Sequence, residues 1–128
     1  MRINHVALYC LDLKGMKDFF IRYFNGTSNE MYHNPKTGLK TYILSFEDSD
    51  VRVELMTRPE VKEEEENIHR QGFIHLSFSV GSQEAVDNLT KVLNEDGYQV
   101  LSGPRTTGDG YYESCIVGPE KILIELTE

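Results

Sequence analysis

The sequence predicts an α+β fold built as two tandem modules, each a strand, a helix and three further strands. Three observations predict it. Two stretches that begin with the same pattern lie 70 residues apart: His5-Val6-Ala7-Leu8-Tyr9-Cys10 and His75-Leu76-Ser77-Phe78-Ser79-Val80. Each alternates apolar and polar or small residues with the period of two expected of a half-buried strand. Each is followed by an amphipathic helical pattern, and each half closes on a strand with one glutamate among aliphatic neighbours, Val53-Glu54-Leu55 and Ile124-Glu125-Leu126. Self-similarity at a fixed period outranks any single motif.

In order, the first strand covers about Ile3 to Cys10, with His5, Ala7 and Tyr9 on one face and Val6, Leu8 and Cys10 on the other. Asp12 is a good N-cap, and Leu13, Met16, Phe19, Phe20, Tyr23 and Phe24 recur at helical spacing until Asn25-Gly26 stops the helix. A short strand is expected within Ser28 to His33. A turn follows at Asn34-Pro35-Lys36-Thr37-Gly38, then strands over Leu39 to Glu47 and Asp50 to Thr57. Module one is thus 1–58, a polar linker 59–71 follows, and module two is 72–128, all within one domain. Ser82 caps a second helix with Ala85, Val86, Leu89, Val92 and Leu93 on one face, ended by Gly97. A short strand over Tyr98 to Leu101 leads into Ser102 to Gly110, which reads as a polar, glycine-rich loop. Strands at Tyr111 to Val117 and Ile122 to Thr127 flank the turn Gly118-Pro119-Glu120-Lys121.

A chain of 128 residues can bury a core without staples. Thirteen basic against 21 acidic residues give a net charge of −8, which argues against nucleic acid as a partner. Glu63-Glu64-Glu65-Glu66 reads as a solvated linker or helix face. No apolar stretch is long enough to span a bilayer and no signal pattern opens the chain. Cys10 and Cys115 form no Cys-x-x-Cys pair, so they read as reduced structural thiols of a cytoplasmic protein.

The repeat places His5 and His75 on the first strand of each module and Glu54 and Glu125 on the last. By the period of two, the aliphatic neighbours of each glutamate face the helices, and the carboxylates share the histidines' side. A carboxylate among Val, Ile and Leu costs several kcal/mol unless paired or metal-bound. Two imidazoles and two carboxylates are a plausible set for a divalent metal: Zn, Ni, Co, Mn or Fe. Taken singly, each of the four has an ordinary structural reading; the matching offsets favour the metal. His33 and His69 lie in turn and linker segments and receive no role.

This repeat, with His5, Glu54, His75 and Glu125, resembles the vicinal oxygen chelate superfamily and within it glyoxalase I (lactoylglutathione lyase) and its bacterial relatives. The likeness includes the closing Gly118-Pro119-Glu120-Lys121-Ile122-Leu123-Ile124-Glu125-Leu126 and Gly108-Asp109-Gly110-Tyr111-Tyr112-Glu113-Ser114. It implies two βαβββ modules with mixed sheets curled around a metal cleft, a small-molecule substrate and a homodimer, the site lying within one chain or between two. It also implies a lyase or isomerase in which a glutamate removes a proton beside a carbonyl, as on the hemithioacetal of a 2-oxoaldehyde. Glu125 is then the first choice of base and Glu54 the second. Where glyoxalase I has a glutathione-binding arginine on its first strand, this chain has Tyr9. A glutathione-binding asparagine is replaced near Thr57 or Arg58. Tyr9, Arg58, Arg105, Tyr111 and Tyr112 are the candidates for binding substrate, the two arginines for an anionic one. The alternatives are another metalloenzyme of the superfamily, of the extradiol dioxygenase or thiol transferase type, or a non-catalytic module that binds small molecules or antibiotics.

Overall fold

A computed structural model describes residues 1–63 and 71–128. Glu64 to Glu66 of the acidic run, and His69, lie outside the described residues. The chain divides into two compact units, Met1–Glu65 and Glu66–Glu128. Each has its own sheet, helix and core.

In the first unit, β1 (His5–Tyr9) leads to α1 (Leu13–Phe24), then β2 (Thr27–Ser28), β3 (Tyr32–His33), β4 (Lys40–Ser45) and β5 (Arg52–Thr57). The sheet runs β1-β5-β4-β2, with β3 also on β4, and only the β1–β5 pair is parallel. Asp12 caps α1 as its sequence suggests, its Oδ1 accepting from the Gly15 amide at 2.9 Å. Asn25 turns left-handed at φ 51°, which ends the helix and lets Gly26 N–H donate back to the Phe20 carbonyl. Leu13, Met16, Phe19 and Phe20 are buried, as are Leu44, Val53 and Leu55 of the sheet that α1 contacts.

The expected strand at Ser28 to His33 is instead two strands of two residues each. Asn29 explains the break. Its side-chain Oδ1 accepts from the Ile43 amide at 2.7 Å, taking the place of a ladder carbonyl and interrupting the strand.

In the second unit, β6 (His75–Ser79), α2 (Gln83–Glu95), β7 (Gln99–Thr106), β8 (Tyr112–Val117), a 3₁₀ turn at Pro119–Lys121 and β9 (Leu123–Thr127) form a sheet of order β6-β9-β8-β7. Ser82 caps α2 through its hydroxyl to the Ala85 amide, at 3.1 Å. Val86, Thr90 and Leu93 are buried on the helix, and Ile116, Ile124 and Leu126 on the sheet. Val92, expected on the apolar face, is 45% exposed. At about 100° per residue it stands some 120° round the helix from Val86, whereas Thr90 lies within about 40°. The buried stripe therefore contains the threonine.

The larger difference is at Ser102 to Gly110. Residues as far as Thr106 belong to β7, and the loop is confined to 107–111. The strand crosses its Gly-Pro step by shifting register against β8 between Val100 and Ser102 and again between Ser102 and Arg105. Gly103 makes this close approach possible. A Cβ there would stand within 2.9 Å of Ser114 Cα and closer still to the Glu113 carbonyl oxygen. Because β7 is the edge of its sheet, Pro104 can sit in it without breaking a central ladder.

Candidate functional site

Both units place a histidine and a glutamate by the same register. On the parallel pair β1–β5, His5 lies opposite Arg52 and Ala7 opposite Glu54. On β6–β9, His75 lies opposite Leu123 and Ser77 opposite Glu125. The histidine is therefore diagonal to the glutamate on the same face. Val53 and Leu55 in one strand, and Ile124 and Leu126 in the other, are buried toward the helices. The carboxylates face the opposite way, 21% and 19% exposed. His5 Nε2 stands 3.5 Å from Glu54 Oε2, and His75 Nε2 stands 3.6 Å from Glu125 Oε2.

The surroundings of the two pairs differ. In the first unit, Asn4 Oδ1 lies 3.0 Å from His5 Nδ1 and 2.5 Å from Arg52 Nη2. A guanidinium can only donate, so the Asn4 oxygen must be the acceptor, and His5 Nδ1–H donates to it as well. A neutral His5 then presents an unprotonated Nε2 to Glu54. At 3.5 Å the two groups are bridged either by a proton, as an ion pair, or by a metal cation. In the second unit Ser77 Oγ donates to Glu125 Oε1 at 2.7 Å, leaving Oε2 on the histidine side.

These donors fit a divalent metal. Two ligands each about 2.1 Å from one ion stand roughly 3.0–3.4 Å apart, close to both observed separations. Among the described residues no group of three or more His, Cys, Asp or Glu is assembled for an ion, so each unit taken alone offers a pair.

The same face of the second sheet carries groups that sequence reasoning did not assign to the site. Cys115 lies opposite Glu125 on β8, and Glu113 lies two residues before it, opposite Arg105 of β7. Burial first, then the charge of Glu125, pushes the Glu113 carboxyl above its ordinary range, with Arg105 opposing. Burial likewise pushes the Cys115 thiol up, reinforced by Glu125 and Glu113. The period of two in Tyr112 to Val117 was the available signal, since it puts Glu113 and Cys115 on the side away from Ser114 and Ile116.

That parity also sets one candidate apart from the others. Tyr112 shares the helix side with Ser114 and Ile116, and its hydroxyl donates to Asp87 Oδ1 of α2 at 2.7 Å. It faces away from Glu125. Tyr111 lies in the loop, 58% exposed. Arg105 is on the Glu113 side of β7. In the first unit Tyr9 follows His5 along the same face of β1, and Arg58 stands just beyond β5. Arg58 is held above its ordinary value first by Glu60, whose Oε2 accepts from Nε at 2.8 Å, and then by Tyr9. A depression of about 500 Å³ bordered by Asp87, Lys91, Asn94, Val100 and Pro104 lies on the α2 side of the second sheet, the side opposite Glu125.

Two α+β units, each with a parallel pair joining its first and last strand and an imidazole–carboxylate pair on the face away from the helix, define the class of the protein. The chain belongs to the Glyoxalase/Bleomycin resistance protein/Dioxygenase superfamily, which it matches over residues 2–126. It is 28% identical to the uncharacterized protein YqjT of Bacillus subtilis (strain 168), covering 97% of this chain and 96% of that one. Its fold is similar to that of the trypanothione-dependent glyoxalase I of Leishmania major, with a TM-score of 0.79 and 17% identity over 100% of this chain and 86% of the other. It is also similar to a mutant of the fosfomycin resistance protein of Listeria monocytogenes, complexed with Mn(II) and 1S,2S-dihydroxypropylphosphonic acid. There the TM-score is 0.72, with 16% identity over 98% and 90% of the two chains. Among the described residues no helix is long and apolar enough to cross a membrane.

Proposed function

We propose that the protein is a metal-dependent lyase or isomerase of the glyoxalase type, with His5, Glu54, His75 and Glu125 as the metal ligands. The observation that carries this reading is the acceptor pair of the first unit. With His5 Nδ1–H committed to Asn4, a neutral His5 turns its Nε2 lone pair toward the Glu54 carboxylate, 3.5 Å away. The in-register repetition at His75 and Glu125 supports it. A catalytic site usually takes three or more protein donors, hence the assignment of both pairs.

A bound divalent cation supplies Lewis-acid stabilisation of the negative charge that develops on a substrate oxygen. The protein's own part is acid–base work. One glutamate takes the proton from a carbon beside a carbonyl and returns it to the neighbouring carbon. Arg105, with no ion pair among the described residues, is the residue we assign to an anionic group of the substrate. Tyr9 stands where glutathione-using relatives have an arginine; the proposed substrate is a small oxygenated compound, and the hemithioacetal of a 2-oxoaldehyde is the first to try. We further propose a homodimer, as the family resemblance implies, and a cytoplasmic location, in keeping with two free cysteines.

The test is metal content of the purified protein, with an assay on methylglyoxal and glutathione after loading with Ni, Co, Zn or Mn. Stoichiometric metal with turnover is the expected result. Metal without turnover would overturn the hemithioacetal substrate, and no binding of any of the four would overturn the ligand assignment.

A further inference from the structure

The two imidazole–carboxylate pairs share a register, yet each unit fixes a different member of its pair. In the first unit the histidine is fixed. Asn4 Oδ1 takes the His5 Nδ1–H and is itself held by Arg52 Nη2. Glu54 has no such anchor. Its register neighbours are Ala7 on β1 and Ile43 on β4, neither of which has a side-chain donor, and among the described residues its one polar partner is His5. In the second unit the arrangement is reversed. Ser77, in the place of Ala7, donates to Glu125 Oε1 at 2.7 Å. His75 is preceded by Ile74, where the first unit has Asn4, and lies opposite Leu123, where the first unit has Arg52. Neither apolar side chain can set its tautomer.

We propose that Ser77, Asn4 and Arg52 are positioning residues that make Glu125 and His5 the fixed metal donors and leave Glu54 as the carboxylate that carries the substrate proton. The proposal rests on the metal reading above. It reverses the order of preference that the family resemblance suggests for the two glutamates. A base must swing toward the substrate carbon and back. A carboxylate with one oxygen bonded to a serine resists that motion, and one flanked by alanine and isoleucine does not. In the step itself Glu54 takes the proton from the carbon beside the carbonyl, and the electron pair of the broken C–H bond passes to the carbonyl oxygen. The protonated Glu54 then gives its proton to the former carbonyl carbon, while the hydroxyl proton of the first carbon passes to the second oxygen. The first C–O bond becomes the carbonyl, and the isomerisation consumes no co-reactant.

Partners that orient a metal ligand typically account for ten- to a hundredfold in metal affinity. The experiment measures Co²⁺ affinity by competition with a chelating dye for the wild type, Ser77→Ala, Ser77→Thr, Glu54→Gln and Glu125→Gln, alongside the thermal midpoint of each metal-free protein. Ser77→Ala is expected to weaken Co²⁺ binding about tenfold with an unchanged metal-free midpoint, and Ser77→Thr, which keeps the hydroxyl, to restore it. Glu125→Gln is expected to lose more affinity than Glu54→Gln. In the cobalt-loaded enzyme Glu54→Gln should still lose roughly a hundredfold or more in turnover. Wild-type affinity in Ser77→Ala, or an equal loss in the two glutamine variants, would overturn the proposal and leave the metal reading standing. A wild type that binds no cobalt would overturn the reading beneath it.

Discussion

Cys115 is half-buried on β8 opposite Glu125, and burial together with the negative charges of Glu125 and Glu113 raises its thiol above the ordinary range. A raised thiol pKa means less thiolate at any given pH, and the thiolate is the reactive form. Iodoacetamide should therefore alkylate Cys115 more slowly than a free cysteine at pH 8, with the gap narrowing as the pH rises past the shifted value. Mass spectrometry of the labelled protein gives the rate, and labelling as fast as the free thiol would contradict the shift. The thiol also illustrates what single residues disclose in sequence. Alternation alone puts Cys115 and Glu113 on the face of Glu125. It does not say that Ser77 donates to Glu125 or that Asn4 bridges His5 and Arg52. Those bonds depend on pairing β1 with β5 and β6 with β9, strands far apart in the chain, and no local pattern encodes that register.

At the scale of elements, α2 is tied to β8 by a buried hydroxyl pair. Thr90 Oγ1 donates its single proton to the Val86 carbonyl at 2.6 Å, so Ser114 Oγ, also at 2.6 Å, must donate to Thr90. Thr90→Val removes the acceptor and leaves the buried Ser114 hydroxyl without one, at a cost of about 1–3 kcal/mol. Adding Ser114→Ala removes the stranded donor, so the double variant should lose less than the two single losses combined. Urea unfolding of the four proteins measures this, and strict additivity would show the pair to be uncoupled. In β7, Gly103→Ala should cost more than about 1 kcal/mol, because φ is +78° and the new Cβ has no room against the β8 backbone. Helix caps, helix lengths and the repeat were legible because their causes lie within a few residues. The reach of β7 through Gly103-Pro104 was not. Turn-forming residues there are overridden by pairing with β8, a tertiary effect. The split of the expected strand at Asn29 has the same character, since a side chain substitutes for backbone only once β4 is alongside.

At the scale of the whole molecule, the two units carry the same register with different supporting residues, and the ligand assignment asks both to serve one ion. Ligand binding to the folded state alone stabilises it by about 2.7 kcal/mol at a hundred times the dissociation constant. For a chain of this size that raises the thermal midpoint by several degrees. If the metal needs donors from both units, His5→Ala and His75→Ala should each remove most of that rise, although the two residues lie in separate units. The metal-free midpoints should stay near that of the wild type, because both side chains are partly exposed and outside either core. Differential scanning calorimetry of the wild type and both variants, with and without Co²⁺, decides it. A rise lost in one variant and kept in the other would assign the ion to a single unit and break the four-ligand set.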